Sequence, residues 1–149
     1  MTGRRDAPAV AVALAVVLTA ACGTAGGSAA GQLRSWQSGA SYGQGQQLLS
    51  SDLGDIATGL RSGPLAALKT ACDGLGVDAA NAYGELPTPD HSLTERLNSE
   101  YIDFENAAQA CSTAPSLHSK AIGRYLLLAT RGQDELAAAK RRIAEILKS

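Results

Sequence analysis

The chain reads as an all-α protein, specifically an antiparallel four-helix bundle, and three observations lead there. Ala and Leu dominate while only one Trp, one Phe and four Tyr occur, a composition that favours helices over strands. Apolar residues recur at steps of three and four along most of residues 49–146, and no stretch alternates with period two. Proline and capping signals cut this periodic region into segments of helical length.

The first expected helix runs from near Gln44 to Arg61, with Leu49, Leu53, Ile56 and Leu60 on its buried face. Gly39, Gly43 and Gly45 discourage helix around Trp36 and Tyr42, which leaves its start open. Pro64 suits the first position of a second helix, and Pro87 stops it. Between them Leu65, Leu68, Cys72, Leu75, Ala79, Ala82 and Leu86 line one face.

A third helix begins after Pro87-Thr88-Pro89-Asp90, where Ser92 and Glu95 have capping-box spacing. Leu93, Leu97, Tyr101, Phe104, Ala108 and Cys111 mark its core side. The fourth and longest follows Ser112–Ser116 and extends to about Leu147. Its seam is Ile122, Tyr125, Ala129, Gly132, Leu136, Ala139, Ile143 and Ile146, and Lys140, Arg141, Arg142 and Lys148 near its end complement the helix dipole. Short loops join antiparallel neighbours, hence an up-down-up-down arrangement.

The N-terminal segment is of another kind. Arg4 and Arg5 precede a 15-residue uncharged apolar stretch, Ala7–Ala21. That is short of the roughly 20 residues a permanent membrane span needs, and it ends in small residues, as an export signal does. Leu18-Thr19-Ala20-Ala21-Cys22 then resembles the lipobox of bacterial lipoproteins, with Thr19 where leucine is commonest. The resemblance implies cleavage before Cys22, a diacylglycerol on its thiol with acyl chains such as palmitate, and anchoring at the extracytoplasmic face of the cell membrane. The alternative is an ordinary secretory signal with Cys22 incidental. Two acyl chains, at about 0.8 kcal/mol per buried methylene, hold a protein stably. The expected organisation is therefore a signal peptide over residues 1–21, a lipidated N-terminus and flexible tether over 22–40, and a helical domain over 41–149.

Cys72 and Cys111 are the remaining thiols. An even pair outside the cytoplasm favours a disulfide, and closing that loop contributes about 4 kcal/mol by loop-closure entropy. Helical counting from the Pro87–Pro89 turn sets the two about 10 Å apart in height, a mismatch that the turn must absorb. Two buried unpaired thiols are the alternative. Ala71-Cys72-Asp73-Gly74-Leu75, Pro87–Asp90 and Ala107–Cys111 together are similar to a group of small helical secreted proteins of high-GC Gram-positive bacteria. That resemblance, over about residues 65–115, implies a paired Cys72 and Cys111 and carries no activity.

No constellation for catalysis, cofactor or metal binding stands out. Gly39-Ala40-Ser41-Tyr42-Gly43 matches the nucleophile-elbow string, but that motif works on a strand-to-helix turn and no strand precedes it. His91 and His118 fall at opposite ends of one helix, about 30 Å apart, too far to share a metal. Asp52, Asp55, Asp73 and Asp78 read as outward and solvated. Residues 22–112 carry 4 basic and 10 acidic side chains and residues 113–149 carry 7 and 3, so the last helix is locally basic. It docks on acidic neighbours or meets an anionic partner; the overall charge of −1 gives no reason to expect nucleic acid. The expected function is a non-enzymatic interaction module of the cell envelope, whose partner is another envelope protein. The alternative is a carrier of an apolar ligand such as a lipid, housed beside Ala79, Ala82, Ala129 and Gly132.

Overall fold

A computed structural model describes residues 27–149, and the export segment with Cys22 lies outside them. The described chain is all helical: α1 (Ala29–Gly39), α2 (Tyr42–Ser62), α3 (Leu65–Tyr83), α4 (His91–Ser112) and α5 (Lys120–Lys148). Among the described residues there is no strand. The last four helices occupy the segments that the periodicity marks. Helix α1 is additional, and it falls inside the span expected to be a flexible tether.

Burial explains α1. Leu33 is fully buried, Ala30 nearly so, and half-buried Trp36 packs against the core. Each glycine in a helix costs about 1 kcal/mol relative to alanine. The burial of Leu33 and Trp36 together with half-buried Tyr42 outweighs that cost at Gly31, Gly39, Gly43 and Gly45, all of which are helical. Helices α1 and α2 are joined at Ala40 and Ser41, and the φ of Ser41, 49°, lies in the left-handed region. Ser28 caps α1, its Oγ accepting from the Gly31 amide at 3.1 Å.

Helix α4 packs against α3 and α5, α3 also touches α2, and α1 lies against both α5 and α2. The contacts thus run around all five helices. The core forms where the 3–4 spaced stripes converge: Leu49 and Ile56; Leu68, Leu75 and Ala79; Leu93, Leu97 and Phe104; Ile122, Ala129 and Ile146. Leu136, expected in the seam of α5, is only half-buried, whereas Leu128 is buried. Gly132 makes room for the Phe104 ring between α4 and α5, since a Cβ there would lie 2.6 Å from Cε1 of Phe104.

Two terminal signals resolve differently from expectation. Pro64 is the residue before α3 rather than its first. Asp90, not Ser92, caps α4: its Oδ1 accepts from the Leu93 amide at 2.8 Å. The same carboxylate takes two hydrogen bonds from Arg142, at 3.1 and 2.7 Å, which ties the start of α4 to the end of α5. Arg131 of α5 also pairs with Asp103 of α4, so part of the charge asymmetry is consumed in docking α5 on α4, while Glu135 and Arg96 pair in the opposite sense.

Candidate functional site

Cys72 and Cys111 are fully buried and meet at disulfide distance, with their Cα atoms 5.9 Å apart. The turn at Gly84–Asp90 takes up the height difference that helical counting produces. Cys22 lies outside the described residues.

The polar chemistry of the core sits elsewhere. Glu100 is 0 % exposed although it carries a carboxyl group. Its place follows from spacing: it is three residues after Leu97 and four before Phe104, on the buried stripe of α4. Gln46 continues the stripe of α2, three residues before Leu49 and four after Tyr42. The two stripes face each other, and Gln46 Nε2 donates to Glu100 Oε1 at 3.2 Å and to the Tyr101 hydroxyl at 3.4 Å. Tyr42 Oη, Gln46 Oε1 and Glu100 Oε2 are buried without a hydrogen-bond partner among the described residues.

Burial pushes the Glu100 carboxyl up to about 7; the hydrogen bond from Gln46 and the charge of Lys140 pull against this, and Glu135 adds to it. Burial and the Glu100 charge likewise push the hydroxyls of Tyr42 and Tyr101 upward. Tyr42 and Tyr101 also line a small cavity of about 20 Å³, together with Trp36, Ala40, Gly45, Ala82 and Glu85; Gln46 and Glu100 are not part of its lining. Trp36 reaches it from α1; its indole donates to the Glu85 carbonyl at 3.1 Å, and its ring centroid is 5.4 Å from that of Tyr42. The sequence held a signal for this cluster, a glutamate and a glutamine at core spacing on two apolar stripes. The part played by Trp36 had none, because the surrounding glycines conceal α1.

The aspartates expected to be solvated divide. Asp55 and Asp73 are exposed. Asp52 is half-buried, one of its oxygens lies inside without a partner, and burial together with neighbouring Asp78 pushes its carboxyl up to about 6. Asp103, which drew no attention in the sequence, is buried against Arg131 at 3.2 Å.

The histidines stay apart. His91 opens α4, exposed and 3.7 Å from Glu95, and His118 is exposed in the turn before α5. Among the described residues no group of three or more His, Cys, Asp or Glu is placed to hold a metal. Ser41 of the elbow-like string sits between two helices. No helix among the described residues is long and apolar enough to cross a membrane. Comparison with protein-family models, with curated proteins and with solved structures finds no match for this chain.

Proposed function

We propose that this protein is a lipid-anchored, extracytoplasmic helical module that binds another component of the cell envelope and is not an enzyme. In this reading α2 to α5 form an antiparallel four-helix core, and α1 joins it to the anchor at Cys22.

The observation that carries the reading is the short distance from anchor to fold. Only six residues separate Cys22 from Ala29, the first residue of α1. Fully extended, they reach about 20 Å. A domain held that close to headgroups is confined to the membrane surface, where its partners are other envelope components. The buried Cys72–Cys111 pair supports an oxidising compartment. Leu126 and Leu127, 52 % and 63 % exposed on α5, supply apolar surface for a protein partner. Carriage of an apolar ligand draws less support, because the Phe104 ring fills the space beside Gly132.

Two measurements test the proposal. Cys22→Ser should abolish acylation and move the protein to the medium or leave it as precursor; an unchanged processed mass at the membrane overturns the anchor. A photo-crosslinking residue at Leu127 should trap one discrete envelope partner in intact cells, and Leu126→Asp should abolish that product. Failure of the crosslink with normal acylation would remove the interaction half alone.

A further inference from the structure

We propose that the face formed by α3, α4 and α5 binds a second copy of this chain, the two related by a two-fold axis parallel to α4, with Asp73 of each copy paired to Arg124 of the other. The inference deepens the interaction-module reading and rests on it for the surface around Leu127, where the partner it names is the same protein.

Charge comes first. Two grooves flank the outer ridge of α4 and share Asn106 and Gln109 in their walls. The groove on the α3 side carries Asp73 and Glu105 and no cation; the groove on the α5 side carries Lys120 and Arg124 and no acid. None of these four is ion-paired within the chain among the described residues. One face thus presents both signs side by side, unneutralised, and such a face can be complementary to itself.

Register comes second. Gly76 lies beside Ala108 and Gly132 beside Phe104, which fixes the levels of α3 and α5 along α4. Both run antiparallel to α4: Cys72 meets Cys111, and Arg142 meets Asp90. Counting from these contacts sets Asp73 about level with Cys111 and Arg124 about level with Ser112, roughly 1.5 Å apart in height. Val77 and Leu127, each one turn further on, fall within about 3 Å of a common level. They are 61 % and 63 % exposed, and Ile102 on the ridge between them is 40 % exposed. Acid on one flank is therefore level with base on the other, and apolar with apolar.

Symmetry comes third. A two-fold axis parallel to α4 keeps every level and exchanges the flanks, so each acidic groove lies on a basic one and Val77 on Leu127. The perpendicular axis in the same plane would set acid on acid and base on base. The parallel axis also keeps the direction of α1, so both tethers leave toward the same side, as two anchors in one membrane require. Lys69, one turn before Asp73, meets Lys120 with like charge at the end of the face, where salt screens them. Leu126 points about 100° away from Leu127 around α5 and stays outside this contact.

The test is native mass spectrometry of the full chain, released from a maltoside detergent at low ionic strength. The unaltered protein should form dimers that dissociate as salt is raised. Asp73→Arg and Arg124→Glu, both at exposed positions, should each raise the dissociation constant at least tenfold. Mixed in equal amounts, these two variants should recover a heterodimer, distinct in mass from either homodimer, because every contact in it again joins opposite charges. The two reversals combined in one chain should restore the homodimer. Monomer alone at about 100 μM, a concentration that populates any dimer of micromolar Kd, overturns the proposal. So do dimers indifferent to the single reversals, and variants folded by circular dichroism that form no heterodimer. A Leu127 crosslink to a different envelope protein, with no product of twice the chain mass, sinks the second copy and leaves the module reading standing.

Discussion

Gly132 shows how one side chain sets the distance between two helices. The Phe104 ring occupies the place where a Cβ would be, with Cε1 at 2.6 Å and Cδ1 at 2.8 Å from it. Neither atom belongs to a flexible chain end, so Gly132→Ala must push α4 and α5 apart or force Phe104 off its rotamer. The expected destabilisation is about 1–3 kcal/mol, read from urea unfolding, even though alanine is the better helix former. A gain in stability would mean that α5 shifts freely over α4. Leu33 is the opposite case. It is fully buried, so Leu33→Ala should cost about 2–5 kcal/mol. Within a flexible tether the same substitution would be neutral, so this measurement decides whether residues 29–39 belong to the folded unit.

At the scale of the element, the start of α4 is a junction rather than a cap alone. Asp90 accepts from the Leu93 amide and also holds Arg142 of α5, and that hydrogen bond from Arg142 is the main reason its carboxyl lies below the usual carboxylate range. Asp90→Ala should therefore lower stability by about 0.5–2 kcal/mol through the lost cap alone. Ser92→Ala, despite the capping-box spacing with Glu95, should stay within about 0.5 kcal/mol. The sequence marked Ser92 as the cap and Asp90 as the end of the preceding turn. Which one serves depends on where the turn leaves the backbone: Asp90 takes extended geometry at ψ 120°, whereas Ser92 is already helical.

The whole molecule feels pH through its buried carboxyls. Glu100 titrates at about 7 in the folded chain against an ordinary 4.5. A folded value above the unfolded one means that the stability tied to this group is fully present below pH 4.5 and is lost as pH rises to 7. The shift corresponds to roughly 3 kcal/mol. Asp52, raised to about 6, acts in the same direction. Asp90, lowered by Arg142, acts oppositely and weakens the fold as pH falls through the carboxylate range. Stability measured by urea unfolding should thus be lower at pH 8 than at pH 5. Glu100→Gln should remove most of that difference, and an unchanged alkaline decline would assign it to Asp52.

The sequence by itself determined the helical class, the faces of α2 to α5 and the candidate Cys72–Cys111 pair, because 3–4 spacing of Leu, Ile and Ala is a local property. Glu100 carried a local signal, three residues after Leu97 and four before Phe104, that the sequence reading passed over. Only the tertiary structure decided that residues 29–39 are helical, since their glycines oppose helix locally and the burial of Leu33 and Trp36 outweighs them. It alone brought Trp36 beside Tyr42, and Gln46 onto Glu100 and Tyr101. Spacing along one helix says which residues turn inward. It does not say what they meet there, because that depends on the register between helices, which loops and the closest contacts, such as Gly132 on Phe104, set in three dimensions.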